Sequence, residues 1–212
     1  VKVETENGRK TDGKTEGTYI TIESDKMTEQ DEGYHRDISR AFSQILTLFL
    51  PKKRENLKVL VAGLGNREVT PDALGPRVVD NLFITRHILN EFGKYAFQRE
   101  DVGKVSGIVP GVMAQTGMET AEILKGIIGQ THPDLIIAID ALAARSYSRL
   151  NKTNSDQRYR ELHRVQVVGN HRNEITQHTI GVPVLAIGVP TVISVPAIIH
   201  DVFGEKISGK CF

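Results

Sequence analysis

Two segments, each containing an unbroken apolar run, constrain this chain more than any other feature. Leu57 to Pro76 reads LKVLVAGLGNREVTPDALGP and Asp134 to Ser146 reads DLIIAIDALAARS. Runs of strand length that do not alternate with polar residues belong to strands buried on both faces, as in parallel sheets covered by helices. Each run also delivers an aspartate, Asp72 or Asp140, at or beyond the strand's end. Ligands and chemistry in open α/β sheets collect outside the carboxyl ends of the strands. Two carboxylates brought to that edge form a candidate acid/base pair, because two close carboxyls do not both ionise easily and one then holds a proton.

The rest of the chain follows the same alternation. Residues 1–16 are polar and read as a mobile or extended lead-in to a single domain over 17–212. Tyr19 to Ile22 reads as a short strand, and Asp31 to Leu50 as an amphipathic helix. Its stripe is Ile38, Phe42, Ile45, Leu46 and Phe49, and Pro51 stops it. Val59 to Leu64 is a buried strand. One helix is expected from Asp72 to Asn90, with Leu74, Val78 and Leu82 on one face, Thr70 as cap and Pro71 in the first position. Ser106 to Val112 is a short apolar stretch, Gly117 to Ile128 a helix, Leu135 to Ile139 a second buried strand and Pro183 to Val189 a third. Residues 149–178 carry β signal only at Val165 to Val168, and a last helix is expected over Ser194 to Phe203. This β-α-β-α-β order predicts an α/β fold, a mainly parallel sheet with helices on both faces.

Bulk properties remove several function classes. The 212 residues carry 27 basic and 26 acidic side chains, net +1, which gives no case for direct binding to nucleic acid. No run approaches the ~18 apolar residues of a membrane span, and the N-terminus lacks a signal-peptide pattern. The single cysteine, Cys211, excludes a disulfide framework and a multi-thiolate zinc site within one chain, and fits an intracellular setting. Absence of an initiator Met suggests a fragment or processed form.

Each motif has a bland counterpart. Gly63-Leu64-Gly65-Asn66 lacks the third glycine of a dinucleotide fingerprint, Glu68 standing in its place, so it reads as a tight turn out of the strand. Asp72 at a helix start is favoured by the dipole and the unpaired amides there, which is also a purely structural reason for an acid at that position. Asp140 follows residues that must be buried, and its structural alternative is a cap for a turn at Ala141-Leu142-Ala143. The same aspartates are potential metal ligands with a histidine, but His87 lies about four turns along the expected helix. His163, His171 and His178 lack a tight ligand spacing. No metal or cofactor is therefore assigned. Arg145 is either an orienting residue or a surface arginine. Ser146 and Ser194 lack a nucleophile elbow, and Cys211 lies beside the chain end.

Four segments in matching order and spacing carry a resemblance: Val61 to His87, Val109 to Ile128, Pro133 to Ser146 and Ile180 to Val192, with a weaker extension back to Gly17. Together they resemble the germination protease family of spore-forming bacteria. The resemblance implies an atypical aspartic endopeptidase that degrades small acid-soluble spore proteins in the spore cytoplasm at germination. It also implies a three-layer α/β/α sandwich, like that of hydrogenase maturation peptidases, around a mainly parallel or mixed sheet. Synthesis as a proenzyme and assembly as a homotetramer are further implications. The family's two aspartates fall on Asp72 and Asp140, with Asn66, Arg145, Gly169 and Asn170 as substrate-binding or supporting residues. From the residues themselves, Asp72 at its expected helix N-terminus is read as the base, and Asp140, rising from a buried strand, as the proton donor.

The chain departs from the family in three places. A Gly-rich family stretch after Leu150 is replaced by NKTNSDQRYRELHRVQVVGN, which keeps only Val168-Gly169-Asn170; Ser194 stands where the family has an aspartate; and the chain stops at Phe212, where family members continue. A catalytically silent homologue with a binding role and a metal-dependent peptidase of the maturation type are the rival readings. Activity lost to a chelator and restored by metal would mark the latter.

Overall fold

The computed structural model describes residues 2–3, 17–18, 20, 22, 32–51, 56–99, 101–144 and 175–193. Strands β1 (Lys2–Val3) and β2 (Gly17–Thr18) pair antiparallel. Helix α1 (Glu32–Phe49) follows, then strand β3 (Lys58–Gly63). A 3₁₀ turn (Thr70–Asp72) leads into α2 (Leu74–Asp80) and α3 (Arg86–Phe92), and a second 3₁₀ turn (Lys94–Phe97) into β4 (Lys104–Ile108). Next come α4 (Met113–Thr116), α5 (Thr120–Thr131), β5 (Leu135–Ala144), α6 (Gln177–Ile180) and β6 (Val184–Ile193).

The main sheet has the order β4-β3-β5-β6 and every pair in it is parallel. Period-two alternation divides its side chains between two cores. On one face Leu60, Ala62, Ile136, Ala138 and Val184 pack with Leu124 of α5 and Ile180 of α6. On the other, Val59, Val61 and Ile139 meet Val78, Val79 and Leu82 around α2. There too, Leu135 and Leu185 meet Phe42, Ile45, Leu46 and Phe49 of α1. Helices thus cover both faces of a parallel sheet, the α/β arrangement expected from the uninterrupted apolar runs.

Several local expectations are corrected. Gly17–Thr18 form a strand; of the expected Tyr19–Ile22 strand, Ile20 and Ile22 are not in one and Tyr19 and Thr21 lie outside the described residues. Ile20 packs with the α1 stripe, and Lys2–Val3 of the expected lead-in is a strand. The single helix from Asp72 to Asn90 is broken in two. Asn81 ends α2 by donating its side-chain amide to Arg77 O at 2.8 Å, satisfying a terminal carbonyl. Thr85 then bonds to β4 instead of continuing a helix. Its N–H donates to Val105 O, its hydroxyl to Gly103 O at 2.7 Å, and Val105 N–H returns a bond to that hydroxyl. β5 and β6 both run past their expected ends, to Ala144 and Ile193. The strand at Val165–Val168 and the helix over Ser194–Phe203 lie outside the described residues.

At the far end of α2, Arg67 reaches Asp80 with two nitrogens, at 2.6 and 3.0 Å, both side chains being substantially solvent-exposed. An exposed pair contributes little. Arg67→Ala is expected to cost no more than about 1 kcal/mol, and less at high salt, in urea unfolding.

Candidate functional site

The strand order defines where a site forms. β3 connects leftward to β4 through α2 and α3, and α2 lies on one face. β5 connects rightward to β6 through α6, on the other face. The connections therefore diverge between β3 and β5, the topological switch point at which open α/β sheets bind ligands. The loop after β3 carries Gly65, Asn66 and Asp72. The ladder between β3 and β5 ends at Gly63 opposite Ile139, with Leu64 N–H donating to Ile139 O at 2.8 Å. Asp140 is the next residue of β5.

Asp72 ends the 3₁₀ turn rather than opening a helix. Val69 precedes that turn, Thr70 begins it rather than capping a helix, and Ala73 stands at the N-cap of α2 without a side-chain cap. Pro71 occupies the start of the turn and Pro76 the first turn of α2, both tolerated because no intrahelical N–H bond is due there. The Asp72 carboxylate is held from the preceding loop: Asn66 N–H donates to its Oδ2 at 2.6 Å. Asn66 is itself pinned, its Oδ1 accepting from Glu68 N–H at 3.0 Å and from Gln115 Nε2 of α4 at 3.1 Å.

Three glycines allow this arrangement. A Cβ on Gly63 would strike Gly75 of α2, and one on Gly75 would strike the backbone of Leu64 and Ile139. Gly65 has φ +110°, and a Cβ there would strike the Asp72 carbonyl oxygen and lie 3.0 Å from its Oδ1. The glycine pair after β3 thus serves a turn and a close helix approach, as the missing third glycine indicated.

Asp140 lies inside β5, opposite Gly188 of β6, so the turn-cap alternative at Ala141–Ala143 falls. It is 9% exposed, and its Oδ1 accepts from Ala141 N–H at 2.9 Å. The Asp72 turn packs against both β5 and β6. Thr191 secures it: the register between β5 and β6 shifts between Leu142 and Ala143, which leaves Thr191 as the extra residue of a bulge. Its hydroxyl donates to Pro71 O at 2.6 Å. Thr191→Val is expected to cost about 1 kcal/mol in thermal or urea unfolding, the net worth of one such bond.

Gln115 and Thr191 did not stand out in the sequence. The available signals were the Pro110-Gly111 break, with Gly111 at φ +75°, and the Pro190-Thr191 pair inside an apolar strand. Of the other residues singled out, Arg145, Gly169, Asn170, His163, His171, Ser146, Ser194 and Cys211 lie outside the described residues. His87 and His178 are exposed. Among the described residues, no three His, Cys, Asp or Glu side chains gather as metal ligands, and no helix is long and apolar enough to cross a membrane.

A germination protease profile matches residues 1–205. This chain belongs to the germination protease family. It is 45% identical over 211 residues to the germination protease of Caldanaerobacter subterraneus subsp. tengcongensis, covering 95% of this chain and 61% of that protein. To those of Priestia megaterium and Bacillus subtilis it is 45% and 43% identical, each covering 93% of this chain and 53% of the relative. The chain thus spans little more than half the length of these family members. Among solved structures it is similar to a nickel–iron hydrogenase maturation protease from Thermococcus kodakarensis, at TM-score 0.33 and 17% identity, over 66% of this chain and 82% of that one.

Proposed function

We propose that this chain is an endopeptidase that hydrolyses small acid-soluble spore proteins at germination, with Asp72 and Asp140 activating water. The supporting observation is the placement of the Asp72 turn against β5 at the switch point, where Asp140 directly follows the last pair between β3 and β5. Family membership supports a protein substrate.

In this mechanism Asp72, steadied by the Asn66 N–H, takes a proton from water as its oxygen attacks the scissile carbonyl carbon. Asp140 gives its proton to the carbonyl oxygen, forming a gem-diol. On collapse one gem-diol hydroxyl returns its proton to Asp140. The leaving nitrogen takes the proton held by Asp72, which restores both carboxyls and releases acid and amine. Asn66, Arg145, Gly169 and Asn170 act as supporting or substrate-binding residues in the same reading, as do origin as a proenzyme, assembly as a tetramer and action in the spore cytoplasm.

Incubating the purified protein with a small acid-soluble spore protein, and following fragments by mass spectrometry, tests this directly. A silent homologue is favoured by one observation, the replacement of the family's Gly-rich stretch by Asn151–Asn170. It predicts binding without fragments in the same assay.

A further inference from the structure

β5 outgrows β3, and this leaves a strand edge open beside the candidate pair. Successive residues of a strand flanked by parallel neighbours turn their N–H and C=O alternately to one side and the other. The phase is fixed by two bonds: Ile139 O accepts from Leu64 on the β3 side, and Ile136 N–H donates to Pro183 O on the β6 side. Ala141 and Ala143 therefore turn their backbone groups toward the β3 side. β3 has already ended there, and Gly65 at φ +110° takes its chain out of the strand path. On the β6 side the ladder continues as far as Ala144 opposite Ile193. Ala141 N–H is held by Asp140 Oδ1. Among the described residues no backbone group pairs with Ala141 C=O or with the N–H and C=O of Ala143, and Ala143 is exposed.

We infer that this β3-side edge of β5, from Ala141 to Ala143, is a substrate-binding slot that takes an extended peptide segment as an added strand. The inference rests on the peptidase reading above and names how that site holds its substrate. The edge begins at the residue after Asp140, so a strand seated on it lies beside that residue. A strand at the usual spacing of about 4.8 Å occupies the place β3 would fill if it were longer. Main-chain bonds of this kind give affinity without demanding a particular side chain, as in other strand-addition complexes. Whether the segment runs parallel or antiparallel, its residues facing Ala141 C=O and Ala143 are two apart, and the residue between them turns its N–H away.

The test is an N-methyl scan of the ligand, which leaves the slot itself unaltered. A fluorescein-labelled peptide from a small acid-soluble spore protein is titrated with the Asp72→Asn protein by anisotropy. The same peptides are offered to the unaltered protein for cleavage. Single N-methylation is expected to weaken binding by about fivefold or more at two positions two residues apart, the worth of one backbone hydrogen bond. The position between them should be unaffected, and KM of the unaltered protein should follow the same pattern. Sensitivity at neighbouring positions alike, insensitivity throughout, or no binding of the peptide overturns the slot. Alternating sensitivity in binding with no cleavage overturns the peptidase reading and leaves the slot standing. Cleavage with no alternation does the reverse.

Discussion

Asp72→Asn and Asp140→Asn are each expected to lower the rate of spore-protein cleavage by about 10²–10⁴-fold, the usual worth of a positioned acid or base. The double variant should be little worse than either single one, since members of one catalytic unit lose their effect together. Both substitutions keep one described backbone bond at each position. An asparagine carbonyl oxygen can still accept from Asn66 N–H at position 72, and from Ala141 N–H at position 140. Urea midpoints should therefore stay close to that of the parent while kcat falls. Retention of turnover in both single variants would remove the pair as the source of catalysis.

The largest expected effect on stability is at Gly75. Alanine is ordinarily preferred to glycine in helices by about 0.5–1 kcal/mol, so Gly75→Ala would stabilise an open helix. Here a methyl group would strike the Leu64 N–H and carbonyl and the Ile139 carbonyl. Those are backbone atoms of the sheet's centre, and no rotamer change moves them aside. Overpacking against them is expected to reverse the sign and cost about 2 kcal/mol or more. Urea unfolding should show a lower midpoint at unchanged slope. Because α2 follows directly from the Asp72 turn, cleavage should fall as well. A neutral or stabilised Gly75→Ala protein would show that α2 does not lie so close to β3 and β5.

The parts of the fold that were legible in the sequence are those where one physical demand dominates. Val59 to Gly63 and Leu135 to Ile139 are buried on both sides, so an unbroken apolar run is the only pattern that serves. Phe42, Ile45, Leu46 and Phe49 mark α1 because one face alone is covered. Where demands compete, the pattern misleads. Leu74, Val78 and Leu82 keep helical spacing, yet Asn81 closes α2 on Arg77 before Leu82, and Thr85 bonds to Gly103 and Val105 instead of resuming it. The length of β5 was hidden for a related reason: Asp140 reads as a stop, whereas pairing with β6 carries the strand past it. Asp72 was legible as an acid beyond the end of β3, whereas Asp140, read as a strand exit, lies inside β5. The supports Gln115 and Thr191 were not legible, because each acts through a hydrogen bond formed only in the folded chain, between Gln115 and Asn66 and between Thr191 and Pro71.

The strand order has a consequence for how such a chain is made. β4 follows β3 closely in sequence, but β3 must also wait for β5: Lys58 N–H bonds Asp134 Oδ2 at 2.8 Å across 76 residues. Asp72 leaves the ribosome long before Asp140, and the sheet centre that unites their loops closes only over that distance. Such long-range parallel pairing is among the slower steps of folding. A nascent chain therefore keeps its two aspartates apart until β5 has been made and has paired with β3.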